Sequence, residues 1–171
     1  MKPVAAVSYQ QSGFRQERYM VCGAGIGREA RIAKRVSRLR EEGVLNDFRQ
    51  WLVAARMMVA CRPVQAELSV DGAVVAEGGI VGALLEMKEE AGGNVLELRL
   101  TSRGRRGCRG RMKACGNGEC VAFRGAAIAI SAPLPLSVEV DGEPLGFAPV
   151  TFRLVDNAIR VAVAAAECEP Q

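Results

Sequence analysis

Two acidic residues, Asp141 and Glu143, flank Gly142 directly after a segment with the pattern of a β-strand. In residues 136–140 apolar side chains alternate with polar ones, as in a strand with one buried face. Asp-Gly is a dipeptide that tolerates positive φ and closes hairpins. The two carboxylates therefore lie at a predicted hairpin tip. There they either belong to a site that handles a charged ligand or form a solvated charged turn.

A second group of candidates is the glycine-rich turn at residues 23–27, with Glu29 just after it. Its Gly-Ala-Gly-Ile-Gly sequence has the wrong spacing for the dinucleotide fingerprint Gly-x-Gly-x-x-Gly, and no parallel βαβ unit follows. We interpret Gly25 and Gly27 as parts of a tight turn with a close backbone approach. Glu29 has a structural interpretation too, because an acid stabilises a helix N-terminus through the macrodipole.

The cysteines do not have the spacing of a metal site. The six are Cys22, Cys61, Cys108, Cys115, Cys120 and Cys168. The chain has no histidine, and the intervals are not the Cys-x-x-Cys pairs of structural zinc sites. We predict free thiols and no metal site.

Basic residues crowd one short segment, 103–113. They are Arg103, Arg105, Arg106, Arg109, Arg111 and Lys113. Such a cluster could bind anionic lipid headgroups, at about 1 kcal/mol for each cation near the surface, or nucleic acid. It could equally be a solvated, glycine-containing loop. No aromatic residues are interleaved with these cations, which counts against nucleic-acid binding by base stacking.

Composition bounds the class of protein. The chain has 171 residues, 49% of them hydrophobic, and a net charge of +4, which is typical of a single globular domain spanning residues 1–171. No apolar run approaches the roughly 18 residues of a membrane-spanning helix. Met1 is not followed by a signal-peptide core. We expect a cytoplasmic protein, or one at the membrane periphery.

Two helices precede most of the strands. Residues 28–42 repeat apolar residues at helical spacing with a basic outer face, and a second helix runs from Asn46, a good N-cap, to Ala60, with Phe48 and Leu52 on one face. Most of the remainder alternates as strands do. We predict an α+β, mainly β fold: a β-sandwich of about ten mostly antiparallel strands with two helices near the N-terminus.

The order of these elements resembles the C-terminal domain of the diacylglycerol kinase and sphingosine kinase type of lipid kinase. Residues 18–30 resemble that family's strand and Gly-x-Gly-x-Asp-Ala turn, with Glu29 where aspartate is usual. Val70-Asp71-Gly72 resembles the hairpin after the family's two helices. Residues 135–144 resemble its closing Asp-Gly-Glu element, with the apolar run 159–163 as a further strand.

The resemblance implies a function in phosphoryl transfer from ATP, with Mg²⁺, to diacylglycerol or a related lipid alcohol. The chain would form the substrate side of such a kinase. By the same resemblance, Asp141 and Glu143 would face the nucleotide domain, and Gly25, Gly27 and Glu29 would lie near the cleft.

Two parts of such a site are missing from the sequence. It has neither the family's Gly-Gly-Asp-Gly-Thr loop nor a Gly-x-x-x-x-Gly-Lys-Ser/Thr loop, so we expect the nucleotide-binding domain to be absent and to be supplied in trans. Gly93 stands near the position of the family's catalytic aspartate, and glycine cannot act as a general base. We assign no catalytic residue and expect the chain to be inactive alone.

Three functions remain open from the sequence. The first is the substrate-binding half of a lipid kinase that needs a nucleotide domain as its partner. The second is a degenerate, non-catalytic module that binds lipid or another protein. The third is a basic β-domain that binds nucleic acid. The sequence indicates neither which lipid is bound nor the oligomeric state.

Overall fold

The computed structural model describes residues 4–11, 14–44, 46–91, 93–101 and 121–155. Within these residues the chain forms eleven β-strands and two α-helices, and both helices lie between the third and fourth strands. This confirms the predicted mainly β, α+β fold with its helices near the N-terminus.

The strands are short except for the last one. They are β1 Val4–Gln11, β2 Phe14–Met20, β3 Gly23–Gly27, β4 Val64–Val70, β5 Ala73–Ile80, β6 Gly82–Glu90, β7 Gly93–Thr101, β8 Val121–Gly125, β9 Ala127–Ser131, β10 Ser137–Val140 and β11 Glu143–Val155. Every pairing between them is antiparallel within the described residues.

One continuous sheet contains all of these strands. Its order is β5-β4-β9-β11-β10-β3-β6-β7-β8, with β1 paired to β11 and β2 paired to β1. The sheet curls over itself, since β7 contacts β9 and β11, and β8 contacts β4, although these strands are far apart in the order. The predicted sandwich is therefore made from a single folded sheet.

The core fills the space enclosed by this curl. Fully buried apolar side chains come from strands along the whole order, such as Leu68 of β4, Phe152 of β11, Ile26 of β3 and Leu98 of β7. Because side chains alternate along a strand, each strand gives one apolar face to this core.

The two α-helices follow one another in the chain between β3 and β4. Helix α1, Arg28–Glu41, follows Gly27, and the N–H of Arg28 donates to the carbonyl of Val81 at 2.9 Å. Helix α2, Asp47–Ala60, begins after Asn46, whose Oδ1 accepts a hydrogen bond from the N–H of Arg49 at 2.8 Å, as predicted for an N-cap. Helix α1 packs on β3, β6 and β10, while α2 packs on α1.

Two hairpins use the same two-residue turn. Asp71-Gly72 joins β4 to β5, with φ values of 49° and 83°, and Asp141-Gly142 joins β10 to β11, with φ values of 51° and 87°. Positive φ at both central residues is the mark of the type I′ turn that fits twisted hairpins. The strand paired with β10 begins directly at Glu143. The apolar run 159–163 lies outside the described residues.

Candidate functional site

The side chain of Asp141 binds the corner between β2 and β3. Its carboxylate accepts hydrogen bonds from the backbone N–H groups of Val21, Cys22 and Gly23, at 2.8, 2.7 and 3.0 Å. Its own N–H donates to the carbonyl of Gly23 at 2.9 Å. Asp141 therefore joins the closing hairpin to a turn more than a hundred residues earlier in the chain.

Glu143 extends from the same tip toward solvent. Its Oε2 lies 2.6 Å from Nη2 of Arg18 on β2, and both side chains are exposed. The two acids of the tip thus have different environments: the Asp141 carboxylate is bound by backbone groups, and the Glu143 carboxylate is accessible. The structure brings Asp141, Glu143 and Arg18 together at one corner of the molecule.

The other candidate residues lie where β3 passes into α1. Gly25 pairs with Glu139 of β10, and a Cβ atom at Gly25 would lie 2.7 Å from Oε2 of Glu139 and 3.1 Å from the backbone nitrogen of Ala30. Gly27 has a φ of 65° and starts the helix. Glu29 is in the first turn, with its Oε1 2.6 Å from Nη2 of Arg28. At this junction the carboxyl group of Glu139 lies beside the end of β3 and the first turn of α1.

Glu139 is a buried acid that alternation alone would assign to the solvent face. Only 9% of its surface is exposed, and one carboxylate oxygen accepts a hydrogen bond from the N–H of Gly142 at 2.8 Å. Burial raises the pKa of Glu139, the Gly142 hydrogen bond opposes this, and the negative charge of Asp141 raises the pKa further. Glu139 therefore holds its proton more strongly than a solvated glutamate does.

A groove lies between α1 and α2, with a volume of about 610 Å³. Its lining combines three arginines with four apolar side chains, namely Arg35, Leu39, Arg49, Leu52, Val53, Arg56 and Met57. Outside this lining, on the same helix α2, Phe48 and Trp51 are 67% and 63% exposed and stack with ring centroids 6.3 Å apart. Residues 28–62 contain nine Lys and Arg against four Asp and Glu, a net charge of +5. The helix pair thus joins exposed apolar surface to positive charge.

Gly93, which stands near the position of the general base in the resemblance, lies at the start of a hairpin ladder that carries two glutamates. Gly93 opens β7 with a φ of 122° and pairs with Glu90 at the end of β6. Glu90 in turn lies 3.1 Å from Nη1 of Arg124. Glu89 pairs with Asn94 one step further along the ladder.

Glu97 is the centre of a charged cluster that the sequence did not indicate. It is only 2% exposed, and its carboxylate lies within 2.7 Å of Nζ of Lys88, Nε of Arg99 and Nη2 of Arg124. The hydrogen bond from Lys88, helped by those from Arg99 and Arg124, overcomes burial and lowers the pKa of Glu97 from 4.5 to about 2. This cluster joins β6, β7 and β8 across the face opposite the core.

Several sequence candidates lie outside the described residues. These are the basic residues Arg103, Arg105, Arg106, Arg109, Arg111 and Lys113, together with Cys108, Cys115, Cys120 and Cys168. Of the described cysteines, Cys22 is exposed, Cys61 is buried, and both are free thiols. Neither of the two described helices is long and apolar enough to cross a membrane.

Comparison with known proteins identifies the fold. No family model matches the chain, and no curated protein matches it. A crystal structure from Bacillus anthracis that bears the name diacylglycerol kinase matches with a TM-score of 0.53 and 18% identity, over 90% of this chain and 55% of that one. A second structure of that name and organism gives a TM-score of 0.52 and 17% identity, over 90% and 54%. Yeast NADH kinase complexed with NADH gives a TM-score of 0.48 and 9% identity, over 90% and 40%.

At identities of 18% and 17%, the structural matches with TM-scores of 0.53 and 0.52 show a shared fold. The chain spans about half the length of the Bacillus anthracis proteins that it matches. The resemblance to a domain of diacylglycerol kinases, predicted from the sequence, is thus confirmed as a likeness of fold.

Proposed function

We propose that this chain is the lipid-binding half of a kinase for diacylglycerol or a related lipid alcohol, and that a separate partner supplies the nucleotide domain. The observation that carries this proposal is the helix pair, in which α2 carries the exposed rings of Phe48 and Trp51 and both helices contribute arginines to one groove. The fold shared with structures named diacylglycerol kinase supports it.

The helix pair has the chemistry of a surface that binds an anionic membrane. Aromatic rings are favoured at the boundary between water and acyl chains, and burying one large apolar side chain is worth about 1.5–3 kcal/mol. Each arginine near anionic headgroups adds about 1 kcal/mol. Phe48 and Trp51 with Arg35, Arg49 and Arg56 would together give reversible attachment without a membrane-spanning segment.

The described residues do not fit a complete site for ATP and Mg²⁺. Within them, no group of three or more His, Cys, Asp or Glu side chains is placed to hold a metal ion. The Asp141 carboxylate is already bound by three backbone N–H groups. We therefore derive no step of phosphoryl transfer from this chain alone. The proposed partner binds the nucleotide and contacts this chain at the corner where Glu143 and Arg18 lie.

Binding to vesicles tests the lipid-binding role. We expect the chain to sediment with vesicles that contain phosphatidylglycerol and much less with vesicles of phosphatidylcholine alone. Trp51→Ala should weaken this binding about tenfold, because one buried ring is lost. Trp51 is the only tryptophan of the chain, so a blue shift of its emission on binding reports on α2 directly.

Phe14→Ala is the matched control for that experiment. Phe14 is an aromatic residue on β2 that is 74% exposed and lies outside the helix pair. Its removal should leave vesicle binding unchanged. Equal losses for Trp51→Ala and Phe14→Ala, or no binding to anionic vesicles, would contradict the lipid-binding role.

Activity in trans tests the kinase role. Transfer of the γ-phosphate of ATP to diacylglycerol should appear only when a nucleotide domain of a lipid kinase is mixed with this chain. If vesicle binding is present and the mixture stays inactive, the split-enzyme proposal is wrong and a non-catalytic lipid-binding module remains.

A further inference from the structure

A second cavity, the arginine cleft, lies at the N-terminal end of α1 and has a volume of about 390 Å³. Three guanidinium groups line it: Arg28 and Arg31 from α1, and Arg62 from the segment between α2 and β4. A cavity of this size is within the range of about 300–1,000 Å³ in which small ligands bind. It is distinct from the groove between the helices.

The positive charge of the arginine cleft is only partly neutralised. Arg28 forms an ion pair with Glu29. Arg31 has only the thiol of Cys61 near its Nη1, at 4.0 Å, and Arg62 has no hydrogen-bond or ion-pair partner, within the part of the chain that the structure describes. No Asp or Glu is among the residues that line the cavity. Two guanidinium groups therefore face the cleft without a carboxylate.

This donor set fits a phosphate group better than a carboxylate. Each guanidinium presents a planar fork that can donate two parallel hydrogen bonds to an oxyanion. Two or three such forks offer four to six parallel donors, and the three terminal oxygens of a phosphate group provide more acceptor sites for them than the two oxygens of a carboxylate. The hydroxyl of Ser137, also in the lining, can donate one more hydrogen bond.

The remaining walls fit the apolar part of an amphiphile. Val64, Leu136 and Phe147 line the cleft, and Phe147 is exposed at its edge. Arg28, Arg31 and Arg35 follow one another at spacings of three and four, so they lie on one face of α1. Arg35 lies about 10 Å from Arg28 along the helix axis, at 1.5 Å per residue, and lines the groove between α1 and α2. One face of α1 thus serves both cavities.

We propose that the arginine cleft binds the phosphate group of a phosphate-bearing amphiphile. The phosphate site stands on its own residues, while the assignment of the phosphate to a lipid rests on the proposed function. The ligand would therefore be an anionic lipid, or the phosphorylated product, rather than a neutral lipid alcohol.

Titration calorimetry with three probes tests this inference. The probes are inorganic phosphate, a short-chain phosphatidic acid below its micelle concentration, and the matching short-chain diacylglycerol. The double variant Arg31→Gln, Arg62→Gln should lower the affinity for both phosphate-bearing probes about tenfold or more. Lys34→Gln, which removes one exposed cation from α1 outside both cavities, should change it less than about twofold.

The outcomes separate the two sources of phosphate. Tighter binding of phosphatidic acid than of inorganic phosphate supports a lipid ligand, and equal affinities support a site for free phosphate. Unchanged affinity in the double variant, with its circular dichroism and thermal midpoint intact, would overturn the site. So would an equal loss in Lys34→Gln. Vesicle binding through Trp51 is measured separately, so failure of the lipid-binding proposal is distinguishable from failure of the cleft.

Discussion

The three hydrogen bonds to Asp141 predict a large effect of removing one carboxylate. In Asp141→Ala the N–H groups of Val21, Cys22 and Gly23 lose their acceptor. We expect the free energy of unfolding to fall by about 1–3 kcal/mol, measured by urea denaturation, because each lost bond contributes about 1 kcal/mol or less where water can replace the acceptor.

Asp71 offers a matched control in the other hairpin. Its φ of 49° is close to the 51° of Asp141, so alanine brings the same backbone strain at both positions. Among the described residues, the carboxylate of Asp71 accepts one backbone hydrogen bond, from Ala127 at 2.7 Å. Asp71→Ala should therefore destabilise the protein less. An equal or larger loss in Asp71→Ala would show that the bonds of Asp141 add nothing.

The lowered pKa of Glu97 makes the free energy of unfolding depend on pH. Because its pKa is lowered to about 2, its carboxylate stabilises the folded state above pH 4.5, and this contribution is lost as the pH falls toward 2. The wild type should lose stability more steeply across that window than Glu97→Gln. At neutral pH, Glu97→Gln should cost about 1–3 kcal/mol, since three cations lose their shared partner.

Glu139 should give the opposite pH dependence. Its raised pKa means that ionisation costs stability as the pH rises through the folded-state pKa. Stability of Glu139→Gln should therefore fall less with rising pH than that of the wild type. If Glu97→Gln and Glu139→Gln change the pH dependence of the free energy of unfolding in the same direction relative to the wild type, the environments assigned to Glu97 and Glu139 are wrong.

These residues mark the limit of prediction from sequence. The two Asp-Gly turns were predictable, because positive φ is a local property of the dipeptide. The partners of Asp141 were not, since its contacts lie in a distant turn. Alternation assigns Glu97 and Glu139 to the solvent face, yet both are buried. Cations from three strands bind Glu97, and α1 packs on the strand that carries Glu139. The one available signal was the glycine run, which leaves room opposite Glu139.

At the scale of elements, the close packing of α1 on β3 and β10 depends on the absence of a side chain at Gly25. Gly25→Ala would place a Cβ 2.7 Å from the Glu139 carboxylate and 3.1 Å from the helix backbone at Ala30. We expect a loss of about 1–3 kcal/mol by urea denaturation, as for other overpacked sites.

A double-mutant cycle separates the two contacts of that methyl group. Adding Glu139→Ala removes the carboxylate and leaves the contact with the helix, so rescue should be partial. Full stability of Gly25→Ala alone would mean that the helix moves away from the sheet at no cost.

The bounds of the helices followed from the sequence, and the environment of α2 did not. The N-cap Asn46 and the apolar spacing predicted α2. The same spacing places Phe48 and Leu52 on one face, as a buried helix would have, yet both are exposed. Among the described residues, the main packing partner of α2 is α1. Periodicity reports which residues share a face, and it does not report what covers that face.

At the scale of the molecule, the fold matches about half of each of two longer protein chains. The chain aligns over 90% of its own length and over 55% and 54% of the matched structures. The described residues already form a core within the curled sheet, because buried side chains come from strands along the whole order. A partner would therefore add chemistry to a domain that already has its own core.

The pairing of β1 with β11 orders events during synthesis. Val4 pairs with Val155 and Gln10 with Phe147, so β1 gains this partner only when almost all the described chain has been made. Until then the edge of β1 that later pairs with β11 is open in the nascent chain, and open edges are sites of aggregation. Contacts so distant in sequence also slow folding. The pairing of β11 with β1 is thus the step at which a chaperone would have the most effect on the yield of this protein.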